Sequence, residues 1–182
     1  KNRFKRTGRP VRQTLFTEAD ASAGTPKAVA AAERLRAVNS SITVRPIVAD
    51  ITSANAERVL CAAPQPGVLL DGADNFETRY LLNDLSVKRR VPYLYGGAVG
   101  THGMAAAFLP DSGPCLRCVF PNAPAPGTSP TCDTAGVLGA VIALVAAYQC
   151  AEAIKILAGH PEAASRAMID ADLWSGRSRA ID

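Results

Sequence analysis

Aromatic side chains are scarce in this chain: they make up 5% of it, with a single tryptophan. The scarcity matters most at the basic start, where Lys1, Arg3, Lys5, Arg6, Arg9 and Arg12 are accompanied by Phe4 alone. Proteins hold single-stranded nucleic acid by stacking bases on aromatic rings between cations. Such a surface is not built here, and nucleic acid is not an expected partner. The basic cluster is read as a solvated tail, with a phosphate-binding element and a nucleic-acid arm as the other possibilities. No apolar signal segment opens the chain, and its five cysteines are an odd number. Reduced thiols in the cytoplasm fit that pattern better than a disulfide framework. No run is long and apolar enough to span a bilayer with ease. The best, 135–148, leads into Gln149, Glu152 and Lys155 and reads as a buried core or interface helix. There is no internal repeat, and no G-x-G-x-x-G turn to cradle a nucleotide.

What is present is enough for a core. A chain of 182 residues with 48% hydrophobic side chains is one ordinary domain or slightly more, and its net charge is only +4. Thr25, Pro26 and Lys27 open a helix over 28–38, with proline tolerated in the first turn. Residues 42–48 alternate and are rich in β-branched side chains, which predicts a strand. Residues 53–60 predict a short helix. The run 67–71 is continuously apolar and ends on Asp71, as a strand buried on both faces would. A helix over 76–90, strands over 92–98 and 104–109, a long helix over 135–158 closed by Gly159 and Pro161, and a last strand over 167–170 complete the pattern. Helix and strand alternate, which is the signature of an α/β layered sheet.

Three of the five cysteines fall between 115 and 132. Cys115 and Cys118 have the spacing of a zinc half-site, which is two ligands of a tetrahedral four. Six prolines between 110 and 130 mark 110–134 as a flexible crossover loop. Cys132 stands where that loop meets the long helix. The helix dipole favours a thiolate there, and Asp133 opposes it. Cys61 and Cys150 lie in apolar helical surroundings and read as core. Asp74 follows the buried strand, on the side where ligands collect in open α/β sheets. A carboxylate there can hold Mg²⁺; equally, Asp74 or Asn75 can cap the next helix.

Four motifs in order carry a family resemblance. They are residues 12–16 (Arg-Gln-Thr-Leu-Phe), residues 24–28 (Gly-Thr-Pro-Lys-Ala), residues 71–79 with Asn83, and residues 115–118 continuing through 131–139 to Gln149, Glu152 and Lys155. Together they resemble the ThiF/MoeB/HesA family, the adenylyltransferases related to ubiquitin-activating enzymes. The resemblance implies a single adenylation domain over 1–182. Its fold would be a Rossmann-like three-layer sandwich whose sheet is mostly parallel with antiparallel additions, incomplete at the N-terminal side. It implies ATP and Mg²⁺ as cofactors and, as in several members, structural Zn²⁺. It also implies a homodimer whose substrate is the C-terminal glycine of a ubiquitin-like sulfur-carrier protein, activated for thiamin, molybdopterin or related synthesis.

Carried over residue by residue, the resemblance sets Arg12, Gln13 and Lys27 at the ATP phosphates and Asp74 on magnesium. Asn75 and Arg79 would line the nucleotide, and Cys132 would form a covalent link to the carrier. Arg12, Asp74 and Cys132 are thus the catalytic set. Asp71 is a weaker metal candidate, and Arg79 and Asn83 either line the nucleotide pocket or brace the helix. The family's glycine-rich first unit and its second Cys-x-x-Cys pair have no counterpart here, and Arg9 stands where asparagine is usual. The expectation is a fragment of a longer protein. The competing readings are a platform that docks a ubiquitin-like tail without chemistry and a member acting on a modified tRNA base.

Overall fold

The structure is a computed structural model that describes residues 15–62, 64–122, 124 and 135–182. The chain divides into two compact units, Lys1–Ile51 and Thr52–Asp182.

In the first unit, α1 (Glu18–Ala23) starts from a capping box. The Thr17 hydroxyl accepts from the Asp20 amide, and the Asp20 carboxylate accepts from the Thr17 amide. Gly24 ends α1 at φ 65°, a left-handed conformation that suits glycine. The Asp20 carboxylate also pairs with Arg34 on α2 (Lys27–Val38), tying the two helices. The predicted strand over 42–48 does not form; residues 43–50 hold no regular structure. Ile42, Ile47 and Val48 are 48%, 47% and 63% exposed, so the alternating pattern lacks the partner ladder that makes a strand.

The second unit begins with α3 (Ala56–Leu60), shorter than expected. Then come β1 (Leu69–Leu70), α4 (Phe76–Arg89), β2 (Tyr93–Val99), β3 (His102–Phe108) and α5 (Leu116–Val119). The unit finishes with α6 (Gly139–Leu157), β4 (Met168–Asp172) and β5 (Arg177–Ile181). The five strands pair in sequence order. Only β1 and β2 run parallel; β2–β3, β3–β4 and β4–β5 are antiparallel. The three-layer α/β class is as expected. Its balance is not: among the described strands the sheet is mostly antiparallel, because after the one β1–α4–β2 crossover each further strand runs against its neighbour.

The pleat sorts the core. Tyr93 and Tyr95 of β2 and Phe108 of β3 face one way, where they pack with Tyr80 and Leu82 of α4. Ala105 of β3 faces the other way, against Val141 and Val145 of α6. By length and composition α6 could cross a bilayer, which its sequence did not lead us to expect. Its position is that of a core helix: Val141, Val145, Gln149, Glu152 and Ala153 form a buried stripe. Its outer face leaves Ile154 and Leu157 exposed. The helix approaches β3 so closely that a Cβ on Gly103 would lie 2.8 Å from both Val141 Cγ1 and Val145 Cγ2. Helical valine is nearly locked at χ1. Gly103→Ala is therefore expected to destabilise the protein by about 1–3 kcal/mol, measurable as a fall in the denaturant midpoint.

Candidate active site

β1 is only two residues long, and the backbone ladder continues one step beyond it, with the Asp71 amide donating to Leu94 O at 3.0 Å. From there side chains take over. The Asp71 carbonyl accepts from Gln149 Nε2 at 2.8 Å, and the same nitrogen donates to Leu94 O at 2.9 Å. That amide of α6 lies so flat on β2 that a Cβ at Gly96 would come within 2.6 Å of it. Asp71 Oδ1 accepts from the Ala73 amide at 2.7 Å and Oδ2 from the Tyr93 hydroxyl at 2.8 Å. Arg79 Nε of α4 stands 3.3 Å from Oδ2. Burial pushes the Asp71 carboxyl above its ordinary range, opposed by the Ala73 amide and by Arg79. Burial, then the charge of Asp71, drives the Tyr93 phenol far up, so it remains a donor.

Of the two residues that could cap the next helix, Asp74 and Asn75, the cap falls to Asn75. Asn75 is the N-cap of α4, its side chain accepting from the Thr78 amide at 2.8 Å. Asp74 is exposed, and its Oδ1 accepts from Asn75 Nδ2 at 3.1 Å. An exposed carboxylate beyond the carboxyl end of a strand has the hard oxygen donors that Mg²⁺ takes alongside phosphate oxygens, so the residue fits that ion. Arg79 is 9% exposed and points inward, and Lys27 is half-buried as the first residue of α2. Arg12, Gln13 and Cys132 lie outside the described residues, as do residues 125–134 of the proline-rich loop.

Cys115 caps α5, a short helix within the stretch expected to be loop. Its sulfur is 3.7 Å from that of Cys118. Two thiolates bound at about 2.3 Å to tetrahedral zinc lie about 3.8 Å apart, so the pair already has half-site geometry. Burial raises the Cys115 thiol, but the amides of Cys118 and Arg117, with the Cys118 thiol and Asn83, bring it below its ordinary value. Among the described residues no three metal-ligating side chains cluster. Cys61 is buried as expected; Cys150 is exposed, on the outer side of α6 rather than in the core.

Sequence reasoning left Asn83 open, and the structure makes it a brace. Its Oδ1 accepts from the Leu116 amide at 2.8 Å, and its Nδ2 points at Cys115 Sγ at 3.8 Å. Its neighbour Asp84 takes a two-pronged contact from Arg117, at 2.6 and 2.7 Å. Asn83 is 2% exposed and Leu116 0%. Asn83→Ala would strand a buried amide, and a loss of about 1–3 kcal/mol is expected in chemical unfolding. Tyr93, which sequence reasoning passed over, shows itself only through its contact with Asp71.

The ThiF family model matches residues 9–182. The chain belongs to the ThiF family. Among curated relatives, this ThiF-family chain is 40% identical over 170 residues to the sulfur carrier protein ThiS adenylyltransferase of Bacillus subtilis (strain 168). That alignment covers 93% of the chain and 48% of the relative. The chain is also 40% identical over 151 residues to the SAMP-activating enzyme E1 of Haloferax volcanii, covering 83% of itself and 54% of that protein. It thus spans about half the length of the curated relatives it matches. A solved structure of Escherichia coli MccB with MccA-N7isoASN superposes with a TM-score of 0.76 at 20% identity, over 93% of this chain and 52% of that one. At that identity the likeness is one of fold, a Rossmann-like α/β layered sheet.

Proposed function

We propose that the protein adenylates the C-terminal carboxylate of a ubiquitin-like sulfur carrier at the expense of ATP. The observation that carries this is the 40% identity to a ThiS adenylyltransferase across 93% of the chain. The placement of Asp74 at the carboxyl end of β1 supports it. In the reaction a carrier carboxylate oxygen attacks the α-phosphorus, the bond to the β-phosphate bridging oxygen breaks, and pyrophosphate leaves with that electron pair. An acyl-adenylate remains. Magnesium bound at Asp74 would supply charge neutralisation on the phosphates. Arg12 and Lys27 would add fixed positive charge and Gln13 and Asn75 would shape the nucleotide pocket, groups held in place stabilising the developing charge without reorganisation. In the following step the Cys132 thiolate would attack the acyl carbon and expel AMP, leaving a thioester.

Cys115 and Cys118 would contribute two of four ligands to a structural zinc ion, and cytoplasmic residence would keep those thiols reduced. Homodimeric assembly belongs to the same proposal, since pairing would cover the exposed apolar side chains of α6, Ile142, Tyr148, Ile154 and Leu157. Sedimentation equilibrium would read the mass. The function itself is tested by ATP–pyrophosphate exchange with the native-length protein, Mg²⁺ and a carrier ending in Gly-Gly. Carrier-dependent exchange is the expected result, and its absence refutes adenylation. A pathway is assigned by trying thiamin-type and molybdopterin-type carriers side by side.

A further inference from the structure

Arg79, expected at the nucleotide, is engaged by the protein's own groups. Its Nη2 donates to two main-chain carbonyls, Ala73 O at 2.9 Å and Gly96 O at 3.0 Å. Its Nε lies 3.3 Å from Asp71 Oδ2. The guanidinium sits 5.5 Å from the Phe76 ring centre and 5.3 Å from that of Tyr95. One side chain of α4 thereby ties together the end of β1, the turn after it and the middle of β2. Ala73 is held at both ends, its amide by Asp71 Oδ1 at 2.7 Å and its carbonyl by Arg79. Ala73 immediately precedes Asp74, so the plane of its peptide sets the direction in which Asp74 leaves the chain. On the far side Asn75 is fixed as the helix cap. The exposed carboxylate therefore stands on a turn clamped before and after it.

We propose that Arg79 is a positioning residue that presents Asp74 to a divalent cation, and that it does not bind the nucleotide directly. This rests on the adenylation reading for its consequence, but not for its geometry. Arginine suits the task because its planar fork serves several acceptors at once, whereas lysine offers a point charge. Side chains that orient a metal ligand are worth roughly 10–100-fold in metal affinity when removed.

The test uses Arg79→Gln and Arg79→Lys in the native-length protein, with Asp74→Asn alongside. Lysine keeps the charge near Asp71 and the apolar stem between the rings, so it guards against a glutamine variant that does not fold. In pyrophosphate exchange, the Mg²⁺ concentration for half-maximal rate should rise roughly tenfold or more in the arginine variants. The KM for ATP at saturating Mg²⁺ should stay within about twofold, which separates this role from uniform binding. A KM rise with unmoved Mg²⁺ dependence would show Arg79 on the nucleotide and overturn the proposal, as would no change in either.

A second reading needs no activity. Amide hydrogen exchange over 72–76 should speed up roughly tenfold in Arg79→Lys while β3 and α6 keep their rates, because only a local opening is loosened. Uniform acceleration would mean general destabilisation and would sink the clamp. If the wild type shows no pyrophosphate exchange, adenylation fails and amide exchange alone decides whether the clamp exists.

Discussion

Replacing Asp74 by alanine is expected to lower carrier-dependent pyrophosphate exchange roughly 10²–10³-fold, the usual consequence of deleting one fixed electrostatic partner of a transition state. The protein should remain folded. Asp74 is exposed, and the contact it loses is the hydrogen bond from Asn75 Nδ2. Surface substitutions of that kind usually shift stability by no more than about 0.5 kcal/mol. The cap of α4 belongs to Asn75 and survives. Exchange rate and thermal midpoint measured on the same sample make the comparison: a large fall in rate with an unmoved midpoint is the predicted pair. Retained activity would remove Asp74 from the chemistry, and a collapsed midpoint would make it a structural residue instead.

Asp71→Ala should behave in the opposite way. Its carboxylate is enclosed and receives the Ala73 amide and the Tyr93 hydroxyl, with Arg79 beside it. Deletion leaves those donors without that acceptor and the buried Arg79 cation without its counter-charge. Breaking a buried ion pair by removing one partner costs about 3–5 kcal/mol. For a chain of this size that is a fall on the order of 10 °C in the thermal midpoint. Asp71→Asn separates charge from shape. Burial raises the Asp71 pKa above its ordinary value of 3.8, so the folded state holds the proton more firmly than the unfolded chain does. The stability this group contributes is full below that ordinary value and is lost as pH rises through the folded one. Asp71→Asn should abolish that acid-side slope in denaturant titrations taken at a series of pH values.

The elements with a strong period were legible in advance. α2, α4, β2, β3 and α6 fall within a few residues of where apolar spacing puts them. β5 was not, because Arg177, Ser178 and Arg179 lack an apolar alternation; the strand exists through its ladder with β4, and all of it is exposed. Residues 42–48 fail for the converse reason: they have the pattern without the partner. Cys150 was misplaced because α6 is apolar nearly all round, so composition could not say which side meets the sheet.

In the site, the Cys115–Cys118 pair could be picked out by its spacing, and Asp74 by its place after a buried strand and by the family resemblance. The partners that set them could not. Asp71 meets Tyr93 across 22 positions and Asn83 meets Cys115 across 32, and no local pattern encodes either meeting. That Asn75 rather than Asp74 caps α4 is shown only by a hydrogen bond from Thr78.

The brevity of β1 has an outcome for mutational tolerance. A strand with two paired residues is secured chiefly by what grips the residue after it, Asp71, and that grip comes from Arg79, Tyr93 and Gln149. A variant library selected for solubility alone would therefore conserve positions 71, 79, 93 and 149 and let position 74 drift. Only selection for turnover would bring 74 back, so the two screens, compared, would sort scaffold from chemistry without any assay of a purified enzyme.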